Sequence, residues 1–171
     1  MACGLTYMRT CNTADDVRQL AGTLSGYLRP GDVVLMKGDL GAGKTLFVQG
    51  VAQSLGVAEN VISPTFNILL SYHSGGLPLF HFDLYRLEDE AELEDIGFYE
   101  TLDGDGACFV EWGEKFPGCL GYAFLEVDIT IEDDESRRVR VHAYGQRARS
   151  LLTVWGSDST SRLTKVPGDF S

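Results

Sequence analysis

The apolar positions change period along the chain, and each change marks an element. Asp32-Val33-Val34-Leu35-Met36-Lys37 is a short, β-branched, mostly apolar run after Pro30-Gly31, which predicts a buried strand entered from a turn. From Lys44 to Leu55 the period lengthens: Phe47, Val51 and Leu55 fall at four-residue steps and Gly56 follows, the pattern of a helix closed by glycine. Upstream, Thr13 precedes Ala14-Asp15-Asp16 as an N-cap with acids in the first turn. That predicts a helix through Leu20 and Leu24 to Tyr27.

Beyond Gly56, Asn60-Val61-Ile62-Ser63-Pro64-Thr65-Phe66 carries a proline that cannot donate to a ladder, so a loop or strand edge is expected. Asn67 to Tyr72 predicts a strand, Ser74-Gly75-Gly76 its turn and Leu79-Phe80-His81-Phe82 the return strand. Leu87 to Ile96 is acid-rich with Leu87, Ala91 and Leu93 as its apolar positions, a short surface helix stopped at Gly97. Ala107-Cys108-Phe109-Val110 is another apolar strand, ending on Glu111-Trp112. Phe124 to Ile131 and Arg138 to Tyr144 alternate in period two around the acidic turn Asp133-Asp134-Glu135-Ser136, which predicts an antiparallel hairpin. After about Trp155 the chain is polar without apolar period, so a flexible tail over residues 153–171 is expected beyond a domain of residues 1–152.

A length of 171 residues fits one domain. With 44% hydrophobic and 23% charged residues the composition is that of a globular protein, which argues against wholesale disorder. No apolar stretch reaches membrane-spanning length and Met1-Ala2-Cys3-Gly4 lacks the plan of a secretory signal, so cytoplasmic residence without a membrane partner is expected. Cys3, Cys11, Cys108 and Cys119 form no C-x-x-C pair, and His73, His81 and His142 are scattered. Neither a zinc site nor a disulfide framework is expected. The net charge of −11 opposes direct binding to nucleic acid, whose affinity for proteins comes largely from Lys and Arg neutralising phosphates. Two readings of Glu88-Asp89-Glu90 and Glu92-Glu94-Asp95 stand: a face for a basic protein, or a solvated helix surface.

The chemistry concentrates between the first strand and its helix. Gly38-Asp39-Leu40-Gly41-Ala42-Gly43-Lys44-Thr45 fills every fixed position of the G-x-x-x-x-G-K-[ST] phosphate loop, in the strand–loop–helix order that motif needs. Glycines there let the backbone approach phosphates, and successive N–H groups with the positive end of the helix point at the anion. Lys44 then reaches the β and γ phosphates, and the Thr45 hydroxyl joins the shell of a Mg²⁺ ion. The fold expected from this order is α/β, one phosphate-loop NTPase domain with a mixed, mostly parallel sheet flanked by helices and a C-terminal antiparallel hairpin.

Such a loop needs a carboxylate from a neighbouring strand end, and two stand there: Asp83 and Glu111. Glu111 is assigned to the metal shell because its apolar run has the Walker B pattern, and Asp83 to catalysis or water positioning. Thr65, after Pro64, is either a hydroxyl that a mobile loop brings toward the γ-phosphate or a plain strand residue. Trp112 is read as a stacking surface or as packing, and Arg86 as a partner of a phosphate or of Asp83.

The phosphate loop, Ser63-Pro64-Thr65-Phe66, His81-Phe82-Asp83-Leu84-Tyr85-Arg86-Leu87 and Glu111-Trp112 together resemble, in order and spacing, the bacterial TsaE family of tRNA threonylcarbamoyladenosine biosynthesis proteins, also called YjeE. The resemblance runs from about Thr10 to about Leu152. It implies an ATPase that binds ATP or ADP with Mg²⁺. It further implies work beside TsaD and TsaB while threonylcarbamoyl is placed on the adenosine next to the anticodon, with tRNA met only through that complex. By position it assigns Gly41 to Thr45 to the triphosphate, Thr45 and Glu111 to Mg²⁺, and Asp83 with Thr65 to hydrolysis or switching. Asn67 stands where the family often has threonine, and Gly113 where it often has proline.

Rival classes fit less well. A small-molecule kinase would need an arginine-rich lid, and between Thr45 and Glu111 only Arg86 is available. A GTPase would need N-K-x-D, and Asp83-Leu84-Tyr85-Arg86 lacks the glycine of D-x-x-G. In an ABC-type ATPase the signature follows the loop, whereas Leu24-Ser25-Gly26-Tyr27 precedes it. A nucleotide-dependent scaffold without catalysis remains open.

Overall fold

The computed structural model describes residues 4–167. In chain order the strands are β1 (Leu5–Cys11), β2 (Val33–Lys37), β3 (Leu69–Tyr72), β4 (Leu79–Asp83), β5 (Ala107–Glu111), β6 (Phe124–Ile131), β7 (Arg137–Tyr144) and β8 (Thr164–Val166). The α-helices are α1 (Ala14–Leu24), α2 (Lys44–Ser54), α3 (Ala91–Asp95), α4 (Phe98–Leu102) and α5 (Gly145–Ser157). All eight strands join one sheet in the order β3-β4-β5-β2-β6-β7-β1-β8. The four central strands β4, β5, β2 and β6 run parallel to their neighbours within that group, and every pairing outside it is antiparallel. This is the mixed α/β architecture that the alternation of strand and helix periods predicts.

Why β2 and β5 read as unbroken apolar runs follows from their burial on both faces. Val34, Met36 and Phe109 join the core under α1, α2 and α5, whereas Val33, Leu35, Cys108 and Val110 meet Phe82, Leu93 from α3, and Phe98 and Leu102 from α4. The β6–β7 hairpin buries one face only. Leu125, Val127, Ile129, Val139, Val141 and Ala143 are buried, and their alternates Glu126, Asp128 and Arg140 are not.

At the start of α1, Thr13 Oγ1 accepts from the Asp16 amide at 3.0 Å and the Asp16 carboxylate accepts from the Thr13 amide at 3.2 Å. That reciprocal cap closes off two of the helix's unpaired donors. Ser25–Tyr27 continues as a 3-10 turn, so the helix predicted to reach Tyr27 tightens in its last residues. The predicted helix over Leu87 to Ile96 is shorter than its pattern. The Glu92 carboxylate accepts from the amides of Glu88 and Asp89, both at 2.8 Å, and α3 begins only at Ala91. Gly97, expected as its stop, has φ +70 and leads straight into α4, which the sequence reading did not separate.

The largest correction concerns the C-terminus. A flexible tail from residue 153 was expected, yet α5 runs on to Ser157 and β8 pairs with β1 through Thr6, Tyr7 and Met8. Ala148, Leu151, Leu152 and Trp155 form an i, i+3, i+4, i+7 stripe that is buried, and Arg149, Ser150 and Thr153 between them disguise it. Trp155 is fully enclosed: its ring meets Phe47 edge-on at 6.4 Å and its Nε1 donates to Thr23 Oγ1 at 2.9 Å. Arg147 ties the helix to the foot of β2 through two hydrogen bonds to Asp32, at 2.9 and 2.7 Å. Residues 168–171 of the expected tail lie outside the described residues.

Candidate functional site

Residues 38–45 leave β2 at its carboxyl end and turn into α2. Gly38 has φ +147, and a β-carbon there would lie 2.7 Å from the Ile129 carbonyl oxygen. Gly43, at φ +118, is the residue immediately before α2. Both positions therefore require glycine, the first for space and the second for backbone angle. The first amides of α2 have no carbonyl within the helix to meet, so this end of the helix offers donors and positive potential to whatever lies before it. The loop is braced from behind, where Arg137 of β7 donates from Nε to the Ala42 carbonyl at 2.9 Å.

In front of the loop is a cleft of about 600 Å³. Its walls are Leu40, Gly41, Gly43, Lys44, Thr45 and Leu46 from the loop and α2, Ser63 and Thr65 from the segment after α2, and Asp83, Tyr85, Glu111 and Trp112 from the ends of β4 and β5. Most of the residues singled out in the sequence thus face one space. Gly38, Asp39 and Ala42 do not line it: Ala42 is buried behind the loop, and the Asp39 carbonyl accepts from the Ala42 amide at 3.0 Å.

Parallel pairing sets Asp83 directly opposite Glu111. Both are almost wholly buried, and each carboxylate has its own donors. Asp83 accepts from Thr65 Oγ1 at 3.0 Å and from the Tyr85 amide at 3.0 Å, and Ser63 Oγ lies 2.8 Å from Thr65 Oγ1. Glu111 is bracketed by Lys44 Nζ at 3.3 Å and His81 Nε2 at 2.9 Å. Burial pushes the Glu111 carboxyl up, but the His81 hydrogen bond and the nearby Lys44 ammonium outweigh it, so its pKa is held below the ordinary value. At neutral pH it is a charged acceptor.

Trp112 follows with φ +63, a left-handed turn that swings its ring over the cleft. There it packs against Tyr85 with centroids 5.0 Å apart, and Lys44 Nζ lies 5.6 Å from its centroid. Lys115 fixes the opposite wall by donating to the carbonyls of Tyr85 and Leu87 at 2.5 and 2.6 Å. Of the two partners expected for Arg86, a phosphate or Asp83, the second is not met. Instead of pairing with Asp83 it donates to the Phe66 carbonyl at 3.3 Å and lies over that ring.

Chemically, the cleft gathers the Lys44 cation, the hydroxyls of Thr45, Ser63 and Thr65 and the carboxylates of Asp83 and Glu111 around one space, beside the N-terminus of α2. The loop side could take an anionic ligand, and the Thr45 hydroxyl and Glu111 are oxygen donors of the kind that could hold a divalent ion. No cluster of three or more His, Cys, Asp or Glu able to hold a metal occurs among the described residues. A donor set this small suits an ion that keeps waters and is carried in by phosphates. Among the described residues no helix is long and apolar enough to cross a membrane. Cys11, Cys108 and Cys119 are buried free thiols, and Cys3 lies outside the described residues.

Three participants escaped the sequence reading. His81 was placed in the return strand and set aside as one of three scattered histidines, although the alternation of β4 puts it on the same face as Asp83. Ser63 joins the Thr65–Asp83 pair. Arg137, distant in sequence, carries no local signal at all.

The family model described as "Threonylcarbamoyl adenosine biosynthesis protein TsaE" matches residues 11–140. The chain is 41% identical over 143 residues to a tRNA threonylcarbamoyladenosine biosynthesis protein TsaE from Bacillus subtilis, covering 84% of this chain and 89% of that one. A protein of the same name from Treponema pallidum is 38% identical, over 75% of this chain and 95% of its own. Among solved structures, Bacillus subtilis YdiB superposes with a TM-score of 0.82 at 30% identity, covering 93% of this chain and 99% of that chain. The sequence motifs, the sheet order and these likenesses agree, and the chain belongs to the TsaE family.

Proposed function

We propose that this chain is the ATPase subunit of a tRNA-modifying assembly, binding ATP with Mg²⁺ in the cleft before α2 and hydrolysing it slowly alone and faster beside TsaD and TsaB. The relatives named above are tRNA threonylcarbamoyladenosine biosynthesis proteins, which supports placing the chain in the formation of that nucleoside. The observation that carries the reading is the convergence on one cleft of Lys44 and Thr45 with two strand-end carboxylates, Asp83 and Glu111.

In this reading the loop amides and Lys44 bind the β and γ phosphates. Thr45 and Glu111 would hold Mg²⁺, which when bound neutralises charge on the phosphate oxygens. Asp83 orients the attacking water, and its hydrogen bond from Thr65 makes the Ser63–Thr65 segment responsive to what occupies the cleft. The net charge of −11 favours a basic protein surface as the partner and leaves tRNA to be held by the rest of the assembly. Among the described residues no arginine lines the cleft, which favours hydrolysis over a kinase's phosphoryl transfer.

The test is ATP turnover by the chain alone and with TsaD and TsaB. Slow hydrolysis that rises when both are added supports the reading. Turnover that the pair leaves unchanged contradicts it, and nucleotide binding with no turnover in either condition favours a nucleotide-dependent scaffold.

A further inference from the structure

His81 is shut off from solvent, and it does not line the cleft. Its Nε2 lies 2.9 Å from Glu111 Oε2, whereas its Nδ1 is buried with no hydrogen-bond partner. A carboxylate only accepts, so the Nε2 atom must carry the proton that joins them. With Nδ1 unpartnered, the Nε2–H to Glu111 is the ring's one hydrogen bond among the described residues, and it has one direction.

Glu111 sits at the carboxyl end of β5 with its two oxygens in different surroundings. Oε2 faces His81, and Oε1 faces Lys44 beside the cleft. A glutamate end group turns easily about its last torsion, so a buried one is fixed only by its partners. We propose that His81 is a positioning residue for the metal site, clamping Oε2 of Glu111 so that Oε1 alone is presented toward the ion bound with the nucleotide. This role rests on the reading of Glu111 as a carboxylate of the Mg²⁺ shell. Lys44 leaves Oε1 when phosphates arrive, and His81 keeps the carboxylate aimed through the exchange. Partners of this kind are worth about 10–100-fold in metal affinity.

Three chains separate this role from simple packing: wild type, His81→Leu and His81→Gln, whose side-chain amide can donate from nearly the same place as Nε2. Each is titrated with ADP by calorimetry, once in EDTA and once in Mg²⁺. His81→Leu should keep its Mg²⁺-free affinity within about twofold and lose about tenfold of the gain that Mg²⁺ gives, with His81→Gln restoring most of it. An unchanged Mg²⁺ gain in His81→Leu overturns the proposal. A wild-type chain whose ADP affinity ignores Mg²⁺ overturns the parent reading of Glu111 and this role together, and is recognised because the failure is in wild type. Should His81→Leu not fold, ¹⁵N NMR of the wild-type ring decides: a proton on Nε2 is expected, and a bare Nε2 overturns the clamp.

Discussion

Lys44 Nζ lies 3.3 Å from Glu111 Oε1, so the loop's own cation is held by the very carboxylate assigned to the metal. A triphosphate must draw Lys44 away from that partner before it can be gripped, and Glu111 acts as a competitor until a divalent ion neutralises it. Glu111→Gln should therefore raise affinity for ATP in EDTA by about 3–10-fold, roughly 1 kcal/mol, while abolishing most of the gain from Mg²⁺. Calorimetric titration under the two conditions measures both. A fall in the Mg²⁺-free affinity would mean that Lys44 is not shared in this way.

Asp83 touches the cleft but not the glycine loop, and its two donors come from Thr65 and the Tyr85 amide. Asp83→Asn keeps an acceptor for one of them and removes the charge. Nucleotide affinity should stay within about threefold, and ATP turnover in the presence of TsaD and TsaB should fall about 100-fold. A normal rate would end the catalytic assignment.

The lowered pKa of Glu111 makes a signed prediction about acid. A carboxyl whose folded value lies below its unfolded value, near ~4.3, stabilises the fold fully above that unfolded value. The stabilisation is lost as pH falls through the folded value. In urea titrations the wild-type chain should lose stability relative to Glu111→Gln on going from pH 7 to below about 4. If the difference between the two chains did not move with pH, the carboxylate would not be held charged by Lys44 and His81.

Trp155 reports on the C-terminal segment. It is fully buried against Phe47 and bonded to Thr23, so Trp155→Ala should cost about 3–5 kcal/mol in urea unfolding. Truncation after Leu152 should cost at least as much. A chain of residues 1–152 as stable as the full one would restore the expectation of a dispensable tail.

What the sequence made legible was local. Gly38 to Thr45 carries its own spacing, the apolar runs of β2 and β5 announce burial on both faces, and the runs of β4 and β5 put Asp83 and Glu111 at strand ends. Their pairing opposite one another was not legible, because parallel register between β4 and β5 is set by packing and not written in either strand. The same holds for His81: only that register brings its Nε2 to Glu111. β1 and β8 were missed because each is completed by a strand far away in sequence, β7 for the first and β1 for the second. α5 was missed for another reason: its buried stripe is narrow, and the polar Arg149, Ser150 and Thr153 interrupt it.

The account depends most on Lys44 and the loop around it gripping a triphosphate. Isothermal titration of ATP with Mg²⁺ into the wild-type chain and into Lys44→Ala tests this directly. One site on wild type, lost in Lys44→Ala, is the predicted result. No binding by wild type, or equal affinity in the two chains, would contradict it.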